Sequence, residues 1–344
     1  MISVEDTASI LQLVKTLHFN IFDAVRKCLF QNDIHTNSQA GEQGAGDVSY
    51  HIDVASETMI DDFFQTNPVE GGVVIISEGI GKKVYPEGLP EREARYRLLI
   101  DPIDGTREIM YDKRSAWVIT AVAPNRGGGT SLADVFLSVQ TELPVKKQNL
   151  SSFMVAAKGG GAWEEIWDIE RRNMITAARP LKPSGRADIL HGFVVFTNYF
   201  PGTRDVVSGI ADAVVRALGI NNQNEESKVF DDQYISSGGQ LYLLASGVYR
   251  FAADIRPALS AISAKRGAGQ VLCCHPYDIG GLLILREAGG IITDLSGNEM
   301  NAPFDTDTKC GWLAYANREL RGLLEPVVLE ELQKLKRESG EATG

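Results

Sequence analysis

The residues with the clearest chemical potential lie in the segment 98–109, LLIDPIDGTREI, where two aspartates follow an apolar run. Asp101 ends that run, and Asp104 comes three residues later, after a proline that stops a strand because it lacks an N–H. Two carboxylates at the end of a buried strand are costly unless a partner neutralises them, and Mg²⁺ binds such oxygen clusters. Gly105 would let the backbone approach a ligand, and a helix starting at Thr106 would direct its N–H groups at an anion. A turn with plain helix capping and no metal is the alternative for this segment alone.

Two further acidic points follow the same pattern. Glu78 comes directly after the β-branched run 73–76, and Asp278 precedes a run of apolar and glycine residues, IGGLLILREAGG. Asp278 could equally act as an ordinary N-cap of the helix predicted there. Three acidic points at strand or helix ends are what a multi-metal phosphoryl-transfer site requires.

The elements that must position these acids are read from periodicity and turn residues. Apolar residues that recur at spacings of three and four predict helices over 5–30, 54–64, 203–218, 239–246, 277–288 and 318–336. Short apolar runs predict strands over 73–76, 97–100, 117–123, 133–139, 152–156, 162–168, 191–197, 248–253 and 291–294. The polar, glycine-rich segment 33–50 reads as a loop, and the strands before residue 168 suggest an antiparallel meander. Interleaved strands and helices predict α/β or α+β layers.

A change of character near residues 170–190 is the best candidate for a boundary between halves. We expect an N-terminal α+β half over 1–180, which carries the DPIDGT metal site. The C-terminal α/β half over 181–344 would carry Asp278 and the substrate rim.

Composition restricts the classes of partner. The chain has 34 basic and 45 acidic residues, a formal charge of −11, which disfavours a nucleic-acid surface because such binding needs clustered Lys and Arg. An anionic substrate is still allowed if a metal supplies local positive charge. The four cysteines are too irregular for a disulfide framework or a zinc site, so we expect reduced thiols. The N-terminus lacks a signal-peptide pattern and no stretch approaches a membrane span, which predicts a cytoplasmic protein that binds no membrane.

Together, the motif DPIDGT, the acidic strand end before it and the segment YDIGGLLILREAGG resemble the inositol monophosphatase family. Its superfamily includes fructose-1,6-bisphosphatases and 3′-phosphoadenosine phosphatases. The resemblance covers roughly residues 5–335 and extends to the hairpin AAKGGGAW and to the segment 239–254, GQLYLLASGVYRFAAD. It implies an α+β fold arranged as a five-layer αβαβα sandwich. It also implies Mg²⁺-dependent hydrolysis of a phosphate monoester by metal-activated water, without a covalent enzyme intermediate, on a small phosphorylated metabolite such as a sugar or cyclitol phosphate.

The resemblance also implies how two or three Mg²⁺ ions are held. Glu78, Asp101 and the carbonyl of Ile103 would hold the first ion. Asp101, Asp104 and Asp278 would hold the second. Glu78 would assist a weaker third ion that activates the water.

Around those ions, the resemblance implies catalytic and substrate-binding roles. Thr106, oriented by Asp53, would assist the attacking water, and the amides of Gly105 and Thr106 would bind the phosphate. Asp254 matches an acidic position that contacts substrate hydroxyls. Arg256 opens an insertion over 255–274 that we expect to shape the substrate end of the pocket. There it would join Lys265 and Arg266 in favouring a second anionic group; the alternative is a solvated surface loop.

The sequence departs from the family pattern at several positions. Gly79 follows Glu78 where a second acid is usual, which puts the third ion in question. Tyr277 stands where tryptophan is usual, and residues 280 and 281 are glycines where alanines are usual; we expect these changes to keep their packing roles. The five histidines show no metal spacing and are interpreted as structural or exposed (His18, His35, His51, His191 and His275).

Other functions stay open from the sequence. One is a phosphatase for a bisphosphate, such as fructose 1,6-bisphosphate or a 3′-phosphonucleotide. Another is a catalytically inactive member that binds a phosphorylated metabolite. Family members commonly form dimers, so a homodimer is allowed, although the sequence indicates no interface.

Overall fold

The computed structural model describes residues 3–43, 48–220, 228–269 and 271–339. The helices are α1 (Val4–Gln31), α2 (Ile34–Asn37), α3 (His51–Thr66), α4 (Thr106–Ile109), α5 (Arg204–Ala217), α6 (Ser237–Ala245), α7 (Ser260–Lys265), α8 (Leu282–Ala288) and α9 (Arg318–Ser339). The strands are β1 (Ala40–Gln43), β2 (Val48–Tyr50), β3 (Val73–Ser77), β4 (Gly81–Tyr85), β5 (Tyr96–Asp104), β6 (Ala116–Pro124), β7 (Leu137–Leu143), β8 (Leu150–Ala157), β9 (Ala162–Asp168), β10 (Asn173–Pro180), β11 (Gly192–Phe196), β12 (Val229–Phe230), β13 (Tyr249–Asp254), β14 (Ile291–Thr293) and β15 (Trp312–Tyr315).

Two large sheets stack with helices between and outside them. The first sheet has the order β10-β9-β8-β7-β6-β5-β3-β4, antiparallel except for the parallel pair β3–β5. The second has the order β12-β11-β13-β15-β14. Helices α1 and α3 cover one face of the first sheet, α6 and α8 lie between the sheets, and α5 and α9 cover the far face of the second. The predicted α+β class, the five-layer αβαβα order and the antiparallel meander are therefore confirmed.

Strand β5 lies at the centre of this arrangement and is buried along its whole length. Successive side chains of a strand point to opposite faces, so Leu98 and Ile100 join the apolar cluster under α1 and α3. Leu99 joins the cluster that extends to the second sheet. Burying a leucine or isoleucine contributes roughly 1.5–3 kcal/mol, so β5 is held rigidly from both faces. It can therefore present buried acids at its end.

Several elements differ from the sequence prediction. The segment 33–50 is not simply a loop, because it contains α2 and the hairpin strands β1 and β2; its residues 44–47 lie outside the described ranges. The strand predicted from residue 133 begins at Leu137, since Leu132–Asp134 is a 3₁₀ turn capped by Ser131. The helix predicted from residue 277 begins at Leu282, after consecutive turns. Strands β4, β10, β12 and β15 were not predicted.

The strands of the first sheet end at residue 180 and those of the second begin at residue 192. One apolar cluster nevertheless includes Leu99 and Trp117 of the first sheet together with Val195 and Trp312 of the second. The division into two halves stays a prediction. Within the described ranges, every helix is too short or too polar to cross a membrane.

Candidate metal centre and active site

The corner between β5 and α4 brings the DPIDGT residues together. The pairing of β5 with β6 shifts register between Asp101 and Asp104, so both carboxylates reach the same end of the strand. Gly105 then adopts a left-handed conformation with φ of 100°, which glycine accepts without strain. A Cβ atom there would also lie 3.2 Å from Cβ of Ser236. Helix α4 starts at Thr106, as predicted.

Three aspartates converge at this corner. Carboxylate oxygens of Asp101, Asp104 and Asp278 all lie within 4.8 Å of one another. Asp101 is 1% exposed; its Oδ1 accepts a hydrogen bond from the backbone N of Ile103 at 3.0 Å. Its Oδ2 is buried and has no hydrogen-bond partner among the described residues. A buried carboxylate oxygen without a donor is rare, and a bound cation would satisfy it.

The donors around Asp104 come from the start of α6. Its Oδ2 accepts from Oγ of Ser236 at 2.7 Å and from the backbone N of Gly238 at 2.6 Å. Its Oδ1 accepts from the backbone N of Ser237 at 3.2 Å. These contacts hold the carboxylate in a single orientation beside Asp101.

Burial and mutual repulsion make this cluster electrostatically costly. Burial, with the charges of Glu78, Asp104 and Asp278, raises the pKa of Asp101 well above its usual value. Burial and the charge of Asp104 raise the pKa of Asp278 to about 8. Burial also raises the pKa of Asp104 to about 6, although its hydrogen-bond donors oppose the shift. A divalent cation would remove this repulsion, so the donor set fits Mg²⁺.

Glu78 and Ile103 line the same cleft, whose empty volume is about 560 Å³. Glu78 follows β3, which runs parallel to β5, so both strands deliver their acids to one edge of the sheet. The carbonyl oxygen of Ile103 lies 2.9 Å from Oγ1 of Thr106. A carbonyl oxygen has two lone pairs, so this contact leaves room for a cation.

The predicted relation between Thr106 and Asp53 is present. Oγ1 of Thr106 lies 3.0 Å from Oδ1 of Asp53, and a hydroxyl donates preferentially to a carboxylate. The other oxygen, Oδ2, accepts from the backbone N of Tyr50 at 2.8 Å and so caps α3. Asp53 is thus fixed by the helix that carries it.

The structure does not bring Asp254 into the cleft. Asp254 is 0% exposed, and both of its oxygens accept hydrogen bonds from the guanidinium of Arg256. Arg256 lies between Asp254 and the cleft, and its Nη1 also donates to the carbonyl of Leu272 at 2.9 Å. Asp254 is held in an ion pair that orients Arg256, and its contact with substrate hydroxyls stays a prediction.

Among the described residues of the insertion 255–274, those near its two ends line the cleft. Arg256, Leu272 and Cys273 line the cleft, whereas Lys265 and Arg266 do not. Arg266 forms an exposed ion pair with Asp205 of α5, with Nη1 to Oδ1 at 2.7 Å. Of the three basic residues expected at the substrate end of the pocket, Arg256 is the one that lines the cleft.

Sequence reasoning missed residues that line the cleft. His275, interpreted as structural or exposed, lies beside Tyr277 with the two rings stacked at 5.3 Å. Its position three residues before Asp278 was the available signal. Tyr199 and Phe200 also line the cleft, but no local pattern distinguishes them from core aromatics.

The departures from the family pattern are more than neutral packing changes. A Cβ atom on Gly281 would lie 2.4 Å from Oε1 of Gln140, so a larger residue here would displace the side chain of Gln140. Gly79 has φ of +76°, and a Cβ atom there would lie 2.0 Å from Oε1 of Glu57. The carboxylate of Glu57, on α3, fills the space of a side chain at position 79, and burial raises its pKa.

No protein-family model matches this sequence, and no curated protein matches it. Solved structures do match. An IMPase from Thermotoga maritima is 18% identical with a TM-score of 0.61, covering 96% of this chain and 100% of its own. The extragenic suppressor protein SuhB from Bartonella henselae is 17% identical with a TM-score of 0.61, covering 93% and 98%. A fructose-1,6-bisphosphatase from Leishmania major in its holo form is 14% identical with a TM-score of 0.64, covering 92% of each chain.

Identities this low establish the fold alone. The matches span nearly the whole chain, and the acids that suggested the resemblance converge at one cleft of that fold. This chain has the fold of the inositol monophosphatase and fructose-1,6-bisphosphatase superfamily.

Proposed function

We propose that this protein is a Mg²⁺-dependent phosphatase that hydrolyses a phosphate monoester of a small metabolite. The observation that carries the proposal is the buried carboxylate cluster, in which Oδ2 of Asp101 has no hydrogen-bond partner in the part of the chain that the structure describes. Such a cluster is unstable by itself and favourable around a divalent cation.

Each ligand has a defined role in this proposal. Glu78, Asp101 and the carbonyl of Ile103 hold one ion. Asp101, Asp104 and Asp278 hold a second, and Glu78 contributes to a third. Bound Mg²⁺ supplies charge neutralisation at the phosphate and a water of lowered pKa.

The chain itself positions the nucleophile and the phosphate. Asp53 accepts the hydroxyl proton of Thr106, so the lone pairs of that hydroxyl are available to accept a hydrogen bond from the attacking water. The amides of Gly105 and Thr106, in the first turn of α4, donate to phosphate oxygens. Positioning and charge stabilisation are the main requirements of phosphoryl transfer, so no covalent intermediate is needed.

We propose a sugar or cyclitol monophosphate as the substrate. Arg256 lies at the cleft, but its ion pair with Asp254 neutralises its charge. It therefore offers directional N–H donors to hydroxyl groups rather than net attraction for a second phosphate.

A bisphosphate phosphatase is the alternative, for fructose 1,6-bisphosphate or a 3′-phosphonucleotide. It is favoured by Arg107, a second arginine that lines the cleft, packed over the ring of Phe200 at 5.7 Å. A catalytically inactive protein that binds a phosphorylated metabolite is the third reading. A homodimer and a cytoplasmic location also remain predictions, which sedimentation velocity and cell fractionation would test.

A phosphate-release screen tests these readings together. Purified protein is incubated with sugar, cyclitol and nucleotide phosphates in Mg²⁺, with EDTA as the metal-free control. We expect release from a monophosphate that EDTA abolishes. Preference for a bisphosphate would favour the alternative, and binding of a phosphate without release would favour the inactive protein.

A further inference from the structure

Tyr277 contacts a proposed metal ligand directly. It follows the last residues of the insertion, lines the cleft and is 6% exposed. Its hydroxyl oxygen lies 3.3 Å from Oε1 of Glu78 and 3.2 Å from Nδ1 of His275. The rings of Tyr277 and His275 are nearly parallel, with an interplanar angle of 15°. The hydroxyl therefore joins two residues that are far apart in sequence.

The direction of these hydrogen bonds follows from the number of protons. A phenol has one proton to donate, and an ionised carboxylate can only accept. The bond to Glu78 therefore uses the phenol proton. The phenol oxygen can then accept from His275 only if Nδ1 of His275 carries a proton. The network runs from the N–H of His275 to Tyr277 and from the O–H of Tyr277 to Glu78.

Other contacts fix this network in place. The backbone N of His275 donates to Oδ2 of Asp278, so the same turn positions both the histidine and a proposed ligand. The ordinary pKa of a phenol is about 10, so Tyr277 keeps its proton at neutral pH and acts as a donor.

We propose that Tyr277 is a positioning residue that orients the carboxylate of Glu78 for metal binding, with His275 orienting Tyr277 in turn. The inference rests on the proposed function and deepens it. Groups that hydrogen-bond to metal ligands fix ligand orientation, and their removal commonly costs about 10–100-fold in metal affinity or activity.

The substitution Tyr277→Phe isolates the hydroxyl, because phenylalanine keeps the ring that stacks on His275. We expect Mg²⁺ binding, measured by calorimetry without substrate, to weaken about tenfold. The Mg²⁺ concentration for half-maximal phosphate release should rise by a similar factor, with kcat at saturating Mg²⁺ largely kept. A packing role alone would change neither measurement.

Tyr315→Phe is the matched control. Tyr315 is a fully buried tyrosine in β15 and does not line the cleft. Its substitution should leave Mg²⁺ binding at the wild-type value. His275→Gln provides a second test of the network and should weaken Mg²⁺ binding in the same direction by a smaller factor.

The outcomes separate the inference from the proposed function. If the wild type binds Mg²⁺ and releases phosphate while Tyr277→Phe binds Mg²⁺ equally well, the positioning role is overturned and the function stands. If the wild type binds no Mg²⁺, the positioning role and the proposed function are both overturned. If Tyr277→Phe does not fold, unchanged Mg²⁺ binding by His275→Gln overturns the network, and weakened binding supports it.

Discussion

Two buried aspartates, one in the acidic cluster and one behind Arg256 beside the cleft, differ in how their charge is compensated. Asp101 is 1% exposed, has an oxygen without a hydrogen-bond partner among the described residues and faces other carboxylates. Asp254 is 0% exposed and has the guanidinium of Arg256 as its counter-ion. The two aspartates are equally buried, but their charges are balanced differently. The side with Asp101 needs a cation from outside the chain, whereas the side with Asp254 has the cation of Arg256. The uncompensated side is the candidate for chemistry, and the compensated side is the candidate for shaping the substrate.

The largest expected effect is on activity, from Asp101→Asn. Asp101 is proposed to bind two ions, so losing its charge weakens both sites, and we expect kcat to fall about a thousandfold, two losses of the 10–100-fold kind combined. Without metal, the same variant should be more stable than the wild type, because an amide removes like-charge repulsion. Phosphate release in Mg²⁺ and thermal unfolding in EDTA at pH 8 measure the two effects. A folded variant with near-normal turnover at saturating Mg²⁺ would remove Asp101 from the site.

Asp254→Asn, the same substitution at the other buried aspartate, should have the opposite effect on stability. It leaves Arg256 buried beside a neutral amide, and removal of one partner of a buried ion pair costs about 3–5 kcal/mol. Chemical denaturation in EDTA measures this loss. The exposed ion pair between Arg266 and Asp205 gives the control, since solvent screens that pair and Asp205→Asn should cost far less stability. An Asp254→Asn protein as stable as the wild type would show that the pair is not a structural unit.

A smaller effect tests the close packing beside Glu78. Gly79→Ala places a Cβ atom against the carboxylate of Glu57 and forces alanine into a left-handed conformation. We expect a loss of about 1–3 kcal/mol in the free energy of unfolding. Glu57→Ala removes the clash but not the backbone strain, so the double variant should recover part of the loss. If the stability losses of Gly79→Ala and Glu57→Ala simply add in the double variant, Glu57 does not fill this space in solution.

These comparisons also show what the sequence can and cannot reveal. Asp101 and Asp104 were predictable because they lie in one short motif at the end of an apolar run, and Glu78 because it ends the neighbouring strand. The five-layer order was implied by the family resemblance, and the order of the predicted strands and helices fitted it. The pairing of Asp254 with Arg256 was not predictable, because it depends on the turn that follows β13.

Other features of the structure were missed in the sequence for different physical reasons. Strand β10 is exposed along nearly its whole length, so it lacks the alternation that marks a half-buried strand. The proximity of Glu57 to Gly79 joins a helix to a strand end, and no local pattern reports such a contact. Tyr277 was interpreted as a packing residue because of its aromatic ring, whereas its hydroxyl makes the contact with Glu78.

The last prediction concerns a third buried ionisable group, His18, whose hydrogen-bond partners are neutral hydroxyls. His18 is 0% exposed, with its ring nitrogens 2.8 Å from the hydroxyls of Thr120 and Thr141. Burial lowers its pKa to about 3, from 6.5 in the unfolded chain. Above pH 6.5 the ring is neutral in both states. Below it the unfolded state binds a proton that the folded state excludes, so stability falls toward pH 3.

We therefore expect His18→Gln to lose less stability than the wild type between pH 6.5 and pH 4. The difference in slope should approach about 1.4 kcal/mol per pH unit, the value for one proton. Denaturant unfolding at several pH values measures it, and the exposed His35→Gln should run parallel to the wild type. Parallel curves for His18→Gln would mean that His18 is not held neutral.

The central claim is that the uncompensated side of the cleft holds divalent cations. Crystals soaked in Mn²⁺, which takes the same oxygen ligands as Mg²⁺, test it most directly through anomalous difference maps. The account predicts a peak within about 2–2.5 Å of the carboxylates of Asp101, Asp104 and Asp278, and none beside Asp254. A map of well-ordered crystals with no peak at the three carboxylates at saturating Mn²⁺ would contradict it.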